Sequence, residues 1–126
     1  MFEQDYIMRV IKELVRVILK LVFRIETDNP SAELLEDEER QGLLSELLVM
    51  VDGGEINEAE NRILEAADGG SADLKLALLF YSYLNDKDDV FLQKHNFSRE
   101  EIKSGLEQLI SRYGLSEMAE VFLRDI

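Results

Sequence analysis

Apolar residues recur along this chain at intervals of three and four positions. The period is clearest from Tyr6 to Ile25 and returns in several shorter segments further along. Such intervals place side chains on one face of an α-helix, whereas strands alternate every second residue. The pattern predicts an all-α fold of five to seven helices, paired as antiparallel hairpins in a single domain over residues 1–126.

The first predicted helix, at about residues 3–25, is long and apolar, with a basic stripe. At 100° per residue, its basic side chains share one arc about 120° wide. These are Arg9, Lys12, Arg16, Lys20 and Arg24. Apolar side chains cover most of the remaining circumference, which requires cover on two or three sides. Two interpretations stay open: an internal spine packed by the second and fourth helices, or a homodimer interface, which we favour.

Turn and cap signals divide the rest of the chain. The second helix is predicted to begin with Asp28 or Asn29 as cap and Pro30 in its first turn. Two Asp-Gly-Gly sequences bracket a third helix at about residues 57–67. The fourth helix, "ADLKLALLFYSYLN", is apolar nearly all round and is predicted to be central. Ser98 and Glu101 form a capping box for C-terminal helices at about residues 98–125.

The central segment has helix–turn–helix character. Its sequence "GGEINEAENRILEAA" is similar to the second-helix pattern of tetratricopeptide repeats, which recur every 34 residues. The following helix does not repeat the pattern, so the resemblance implies tetratricopeptide-like hairpins at about residues 38–85 rather than a solenoid. Such a hairpin would present Glu60 and Asn61 to a bound protein segment.

A second resemblance covers nearly the whole chain. The segments "MFEQDYIMRVIKELV", "NEAEN", "LLFYSYLN" and "HNFSREEI" resemble a family of small uncharacterised bacterial proteins, classed only as a domain of unknown function. This resemblance implies a stand-alone helical cytoplasmic protein. It implies no reaction, ligand or catalytic residue.

The composition and charge of the chain limit the kinds of partner that it is expected to bind. The net charge is −13, yet residues 1–25 balance to +2 and residues 26–68 to −12. The acidic middle predicts that neither nucleic acid nor anionic lipid is a partner. Charges interrupt the only window long enough to span a membrane, and the N-terminus lacks the basic start of a secretory signal. A cytoplasmic location is predicted, and the absence of cysteine excludes disulfides and thiol chemistry.

No constellation of catalytic residues emerges. His95 is the only histidine, and no serine or cysteine arrangement accompanies it. The acidic run at residues 33–39 lacks the Glu-x-x-His motif of carboxylate metal sites, and "VDGGEINEAE" fails the calcium-loop spacing. We predict no catalytic residue, no metal and no cofactor.

The most consistent function is therefore a non-enzymatic protein-interaction or adaptor module. Its predicted surface combines the five basic residues of the first helix with Glu60, Asn61, Tyr81 and Tyr83. The alternative is a small-molecule sensor with an aromatic pocket around Tyr81 and Tyr83, because tyrosine offers both a flat apolar ring and a hydroxyl.

Overall fold

The computed structural model describes residues 2–66, 70–118 and 120, and these residues form helices and loops without a strand. The all-α prediction is confirmed. The helices, in chain order, are α1 (Phe2–Phe23), a short 3-10 helix (Ala32–Leu34), α2 (Glu38–Asp52), α3 (Ile56–Ala66), α4 (Ser71–Asn85), α5 (Asp89–Lys94) and α6 (Arg99–Arg112).

Helix α4 is the centre of the bundle. It packs against α1, α2, α3 and α6, and every residue from Leu76 to Tyr81 is buried. A helix that is apolar on all sides has to be covered on all sides, which explains why α4 has four neighbours. The prediction that this helix is central is confirmed.

Helix α1 lies against α4 and α6. Its buried residues span about 200° of the helix circumference, which requires more than one neighbour. They are Val10, Ile11, Leu14, Val15, Val17, Ile18 and Leu19. The helix is long, as predicted, but it is amphipathic rather than apolar throughout, and α6 rather than α2 is its second main neighbour.

The prediction that the second helix begins at Asp28 or Asn29 is wrong. After the short 3-10 helix, Leu35 adopts an extended conformation and is buried in the core. Helix α2 begins only afterwards, where the Asp37 carboxylate accepts a hydrogen bond from the Arg40 backbone nitrogen at 3.3 Å. Acidic residues in the first turn favour this start because they face the positive end of the helix.

Other predicted ends agree more closely with the structure. Gly54 adopts a φ of +88° in the turn before α3, a conformation that favours glycine. At the start of α6, Ser98 Oγ accepts a hydrogen bond from the Glu101 backbone nitrogen at 3.1 Å, so the predicted cap is confirmed. Residues 116–118 and 120 are again helical, and residues 119 and 121–125 of the predicted last helix lie outside the described residues.

A buried arginine ties the helix ends together. Arg99, 2% exposed, donates to the carbonyl oxygens of Asn85 and Lys87, each at 2.6 Å. It also donates to the Asp89 carboxylate at 3.1 Å. Asn85 in turn donates to the carbonyl oxygen of Met8 at 3.0 Å. This network joins the ends of α4, α5 and α6 to α1.

Candidate interaction surface

The outer face of α1 carries four of the five predicted basic residues, and the fifth, Arg24, directly follows the helix. Arg9, Lys12, Lys20 and Arg24 are exposed and Arg16 is half-buried. Their positions follow from helical spacing, since the opposite arc of α1 is occupied by core residues. We call these five residues the basic face.

Only part of the basic face is neutralised. Arg16 pairs with Glu13 at 2.8 Å, and Lys20 pairs with Glu26 at 3.3 Å. The hydrogen bond from Arg16 lowers the pKa of the Glu13 carboxyl below its ordinary value. Arg9, Lys12 and Arg24 make no ion pair with the described residues. Three cations are therefore available to an external partner.

Two shallow depressions and two apolar side chains accompany the basic face. One depression, of about 320 Å³, is lined by Tyr6, Arg9, Val10 and Glu13. Another, of about 340 Å³, is lined by Arg16, Lys20, Glu26, Thr27 and Asp28. Tyr6 is 47% exposed and Leu21 is 54% exposed. The surface thus combines positive charge, two shallow depressions and two exposed apolar side chains.

The end of α1 adds an unusual residue to this face. Arg24 adopts a left-handed conformation with a φ of 58°. Glycine is the common residue where a helix ends in this way, because a Cβ atom is disfavoured there by about 1–2 kcal/mol. An exposed arginine therefore stands where glycine would cost less free energy.

The structure brings two other predicted residues, Glu60 and Tyr81, together at a seam between α3, α4 and α6. The Tyr81 hydroxyl donates to Glu60 Oε2 at 3.0 Å, and the tyrosine is fully buried. A Cβ atom at Gly105 would lie 2.6 Å from each of these two oxygen atoms. The absence of a side chain at Gly105 is what allows α6 to close over the pair.

Burial is the main cause of the pKa shifts of the two side chains at this seam. Desolvation raises the pKa of the Glu60 carboxyl, opposed by the hydrogen bond from Tyr81 and reinforced by the nearby charge of Glu101. Burial also raises the pKa of the Tyr81 hydroxyl, which stays protonated and donating. Asn61, the neighbour of Glu60 in sequence, is exposed and does not join the seam.

Tyr83 belongs to a separate cluster on the surface. Its hydroxyl donates to Asp52 Oδ1 at 2.7 Å, and Lys87 Nζ donates to the same oxygen at 2.6 Å. The hydrogen bond from Lys87, followed by that from Tyr83, lowers the pKa of the Asp52 carboxyl. The Lys87 ammonium also lies 5.0 Å from the centre of the Phe91 ring.

The two tyrosines therefore do not share a pocket. Tyr81 packs edge-on against Phe80 in the core, with ring centres 5.3 Å apart, whereas Tyr83 faces the last residue of α2. Residues two apart on a helix point in directions about 160° apart, so the sequence spacing already separates them. The depressions described above lie on α1 instead.

Sequence reasoning missed several residues that shape these sites. Glu13, Tyr6 and Leu21 modify the basic face, and Gly105 and Arg99 hold the helices in place. The i, i+3 spacing of Glu13 and Arg16 was a readable signal for an ion pair. Arg99 follows the Ser98 cap in a charged segment, and its burial depends on the distant ends of α4 and α5.

The described residues contain no group of three or more acidic or histidine side chains placed to hold a metal ion. Within the same residues, no helix is both long enough and apolar enough to cross a membrane.

Comparison with known proteins leaves the function open. No curated protein and no solved structure is significantly similar to the chain. The tetratricopeptide-like character of α2–α4 accordingly stays a prediction. One family model matches residues 1–114, nearly the whole chain, in agreement with the resemblance found in the sequence. The chain belongs to DUF6483, a family of unknown function.

Proposed function

We propose that this protein is a non-enzymatic protein-interaction module that binds an acidic segment of another protein through the basic face of α1. One observation carries the proposal. The apolar arc of α1 is buried within the chain, while the five residues of the basic face lie on the opposite side, and three of them are exposed without an ion-pair partner in the described part.

The distribution of charge supports this choice of surface. The chain has 14 basic and 27 acidic residues, yet four of the basic ones lie on one face of α1 and a fifth, Arg24, directly follows that helix. Solubility does not require this arrangement, because a net charge of −13 already favours solubility. The left-handed Arg24, kept where glycine would be less strained, adds to the argument.

The expected contact is electrostatic with a small apolar part. Exposed ion pairs contribute about 0.2–1 kcal/mol each, so a row of them gives orientation and fast association more than affinity. Tyr6 supplies an amphipathic ring beside Arg9, the kind of side chain that often anchors an interface. An acidic segment with an apolar residue near Tyr6 fits both features.

The other candidate surfaces have less support. Glu60 and Tyr81 already satisfy each other, so neither is free for a peptide in a tetratricopeptide-like groove. The separation of Tyr81 from Tyr83 removes the basis for an aromatic sensor pocket. The homodimer prediction relied on spare apolar surface along α1, and α4 and α6 occupy most of that surface.

A capture experiment tests the proposal. Purified chain is immobilised and exposed to an extract of the cells that make it, and retained proteins are quantified. Arg9→Glu with Lys12→Glu reverses the unpaired part of the basic face. Lys94→Glu with Lys103→Glu changes the net charge equally on α5 and α6 and is the matched control.

We expect proteins with acidic segments to be retained by the natural chain and the control, and to fall at least tenfold with the α1 variant. Equal retention by all three chains would contradict the proposal. Vesicles containing phosphatidylserine form a separate arm, and binding that depends on Arg9 and Lys12 there would replace the acidic protein by a lipid surface.

A further inference from the structure

Helix α2 has an outer face that the described residues leave uncovered around Gly42 and Val49. Gly42 is the fifth residue of this helix, and a Cβ atom there would have no atom of the described residues within 4 Å. Glycine in a helix interior is less favourable than alanine, so a glycine with open space around it is not explained by packing in its own chain. Val49, on the same face, is 70% exposed.

This face of α2 combines small side chains with exposed acidic ones. At 100° per residue, Gly42, Ser45 and Val49 fall within about 60° of one another. Glu38, Glu39, Glu46 and Asp52 are exposed among and beside them. Glu46 pairs with Arg62 and Asp52 with Lys87 in the same chain, whereas Glu38 and Glu39 make no ion pair with the described residues. The small residues allow another helix to approach closely, and the carboxylates provide negative charge. We call these residues the acidic face.

The basic face of α1 has the complementary properties. It carries a row of cations over residues 9–24, a length of about 22 Å at 1.5 Å per residue. Two exposed apolar side chains, Tyr6 and Leu21, lie beside that row. Within one chain the two faces do not pair, because the described ion pairs of the basic face go to Glu13 and Glu26.

We infer that the acidic face of α2 docks the basic face of α1 from a second copy of this chain. The inference rests on the proposed function in using the same basic face, and it names a further partner for it. In a two-fold dimer each copy would contribute both faces, so the contact would be made twice.

The negative net charge of the chain opposes this association. This repulsion between whole molecules acts over longer distances than the attraction within each ion pair at the contact. Ion pairs at contact distance are shorter than the Debye length of about 8 Å at 0.15 M salt, and they are screened less than the repulsion between whole molecules. We therefore expect a weak dimer that is detected at near-physiological salt and at high protein concentration.

Sedimentation equilibrium of the full chain tests the inference, at concentrations up to about 1 mM. Gly42→Gln fills the centre of the acidic face with a good helix former and is expected to weaken association at least tenfold. Ser104→Gln, an exposed position on α6, is the matched control and is expected to associate like the natural chain.

A charge exchange makes the test specific. Arg9→Glu with Lys12→Glu removes the basic face, and Glu39→Lys with Glu46→Lys removes part of the acidic face. Each variant alone is expected to be monomeric, although the second has a smaller net charge than the natural chain. An equimolar mixture is expected to recover association, because each reversed face then meets its complement.

A natural chain that stays monomeric throughout would overturn the inference, and so would undiminished association of Gly42→Gln. Either result leaves the proposed function standing, since that proposal is tested by the retention of other proteins. Thermal unfolding followed by circular dichroism identifies any variant that fails to fold, and Gly42→Ala, which adds only a methyl group, is the fallback substitution. We expect Gly42→Ala to weaken association by about threefold, and unchanged association would overturn the inference.

Discussion

Arg99 donates a hydrogen bond of 2.6 Å from Nη1 to the carbonyl oxygen of Asn85, at the carboxyl end of α4. A second nitrogen of the same guanidinium donates to the carbonyl oxygen of Lys87. These carbonyl groups follow the last turns of α4, where the helix itself provides no donor. A buried cation near a helix carboxyl end is also favoured by the helix dipole.

Loss of this guanidinium is expected to destabilise the whole bundle. Arg99→Ala would leave the two carbonyl groups without their donor, and we expect the free energy of unfolding to fall by about 3 kcal/mol. Urea denaturation followed by circular dichroism measures the change. Lys103→Ala, which removes an i, i+4 pair with Glu107, is the control and should cost below about 0.5 kcal/mol. Equal effects of the two substitutions would refute the structural role of Arg99.

The Glu60 carboxyl is expected to make stability depend on pH. Burial raises its folded pKa above the ordinary value of 4.5. A raised pKa contributes stability that is fully present below the unfolded pKa and is lost as pH rises through the folded pKa. Glu60→Gln keeps an acceptor for the Tyr81 hydroxyl and removes this titration.

We therefore expect Glu60→Gln to gain stability relative to the natural chain between pH 4.5 and pH 7.5. The difference in urea midpoint at the two pH values is the quantity to measure. Glu65→Gln, an exposed position on α3, is the control and should show no such trend. A natural chain that gained as much stability with rising pH as Glu60→Gln would contradict the burial of this carboxyl.

Two helix glycines are expected to respond to alanine with opposite signs. Gly42→Ala should raise the free energy of unfolding by about 0.5–1 kcal/mol, because open space surrounds the new methyl group. Gly105→Ala would place that group against the Tyr81 hydroxyl, whose ring is enclosed by the core and cannot move aside. We expect a loss of about 1–3 kcal/mol there. Urea denaturation of both variants tests the contrast, which would fail if both were stabilised.

Substitutions on the buried face and on the exposed basic face of α1 are expected to differ in their effect on the free energy of unfolding. Leu14 is fully buried, and Leu14→Ala should cost about 2–5 kcal/mol. Arg9→Glu with Lys12→Glu changes only exposed positions and should alter stability by less than about 0.5 kcal/mol. Comparable losses in calorimetric or urea unfolding would mean that the basic face stabilises the fold rather than serving a partner.

Much of the fold could be predicted from local signals. The pattern of apolar residues identified α1 and α4, the two Asp-Gly-Gly sequences bracketed α3, and the Ser98 cap marked the start of α6. Each signal depends on a few neighbouring residues, so it can be read without knowing the tertiary structure.

The errors come from choices that tertiary contacts decide. Asp28, Asn29 and Pro30 have the residue types of a helix start, but burial of Leu35 in the core holds the chain extended after a single 3-10 turn. The true cap, Asp37, is the single aspartate in a run of glutamates and carries its own local capping signal, so the burial of Leu35 is what decides between it and Asp28 or Asn29. Likewise, the partner of Glu60 is 21 residues away, and only the packing of α3 on α4 brings the two together.

The candidate interaction surface could likewise be predicted only in part from the sequence. The basic face was readable because it depends on position along a single helix. The sequence did not show whether the apolar side of α1 is covered by the same chain or by a second copy. The answer depends on where α6 packs, and the period of apolar residues does not predict the packing of a distant helix. Covering of this side by α4 and α6 directs attention to the basic face instead.

Site-specific photo-crosslinking tests the central claim, binding of a partner at the basic face, most directly. Tyr6 is replaced by benzoylphenylalanine, and Val90, 74% exposed on α5, is the control position. In cell extract, we predict a discrete adduct from position 6, none from position 90, and loss of the adduct when Arg9 and Lys12 are changed to glutamate. Equal adducts from both positions, or an adduct that survives the charge reversal, would contradict the account.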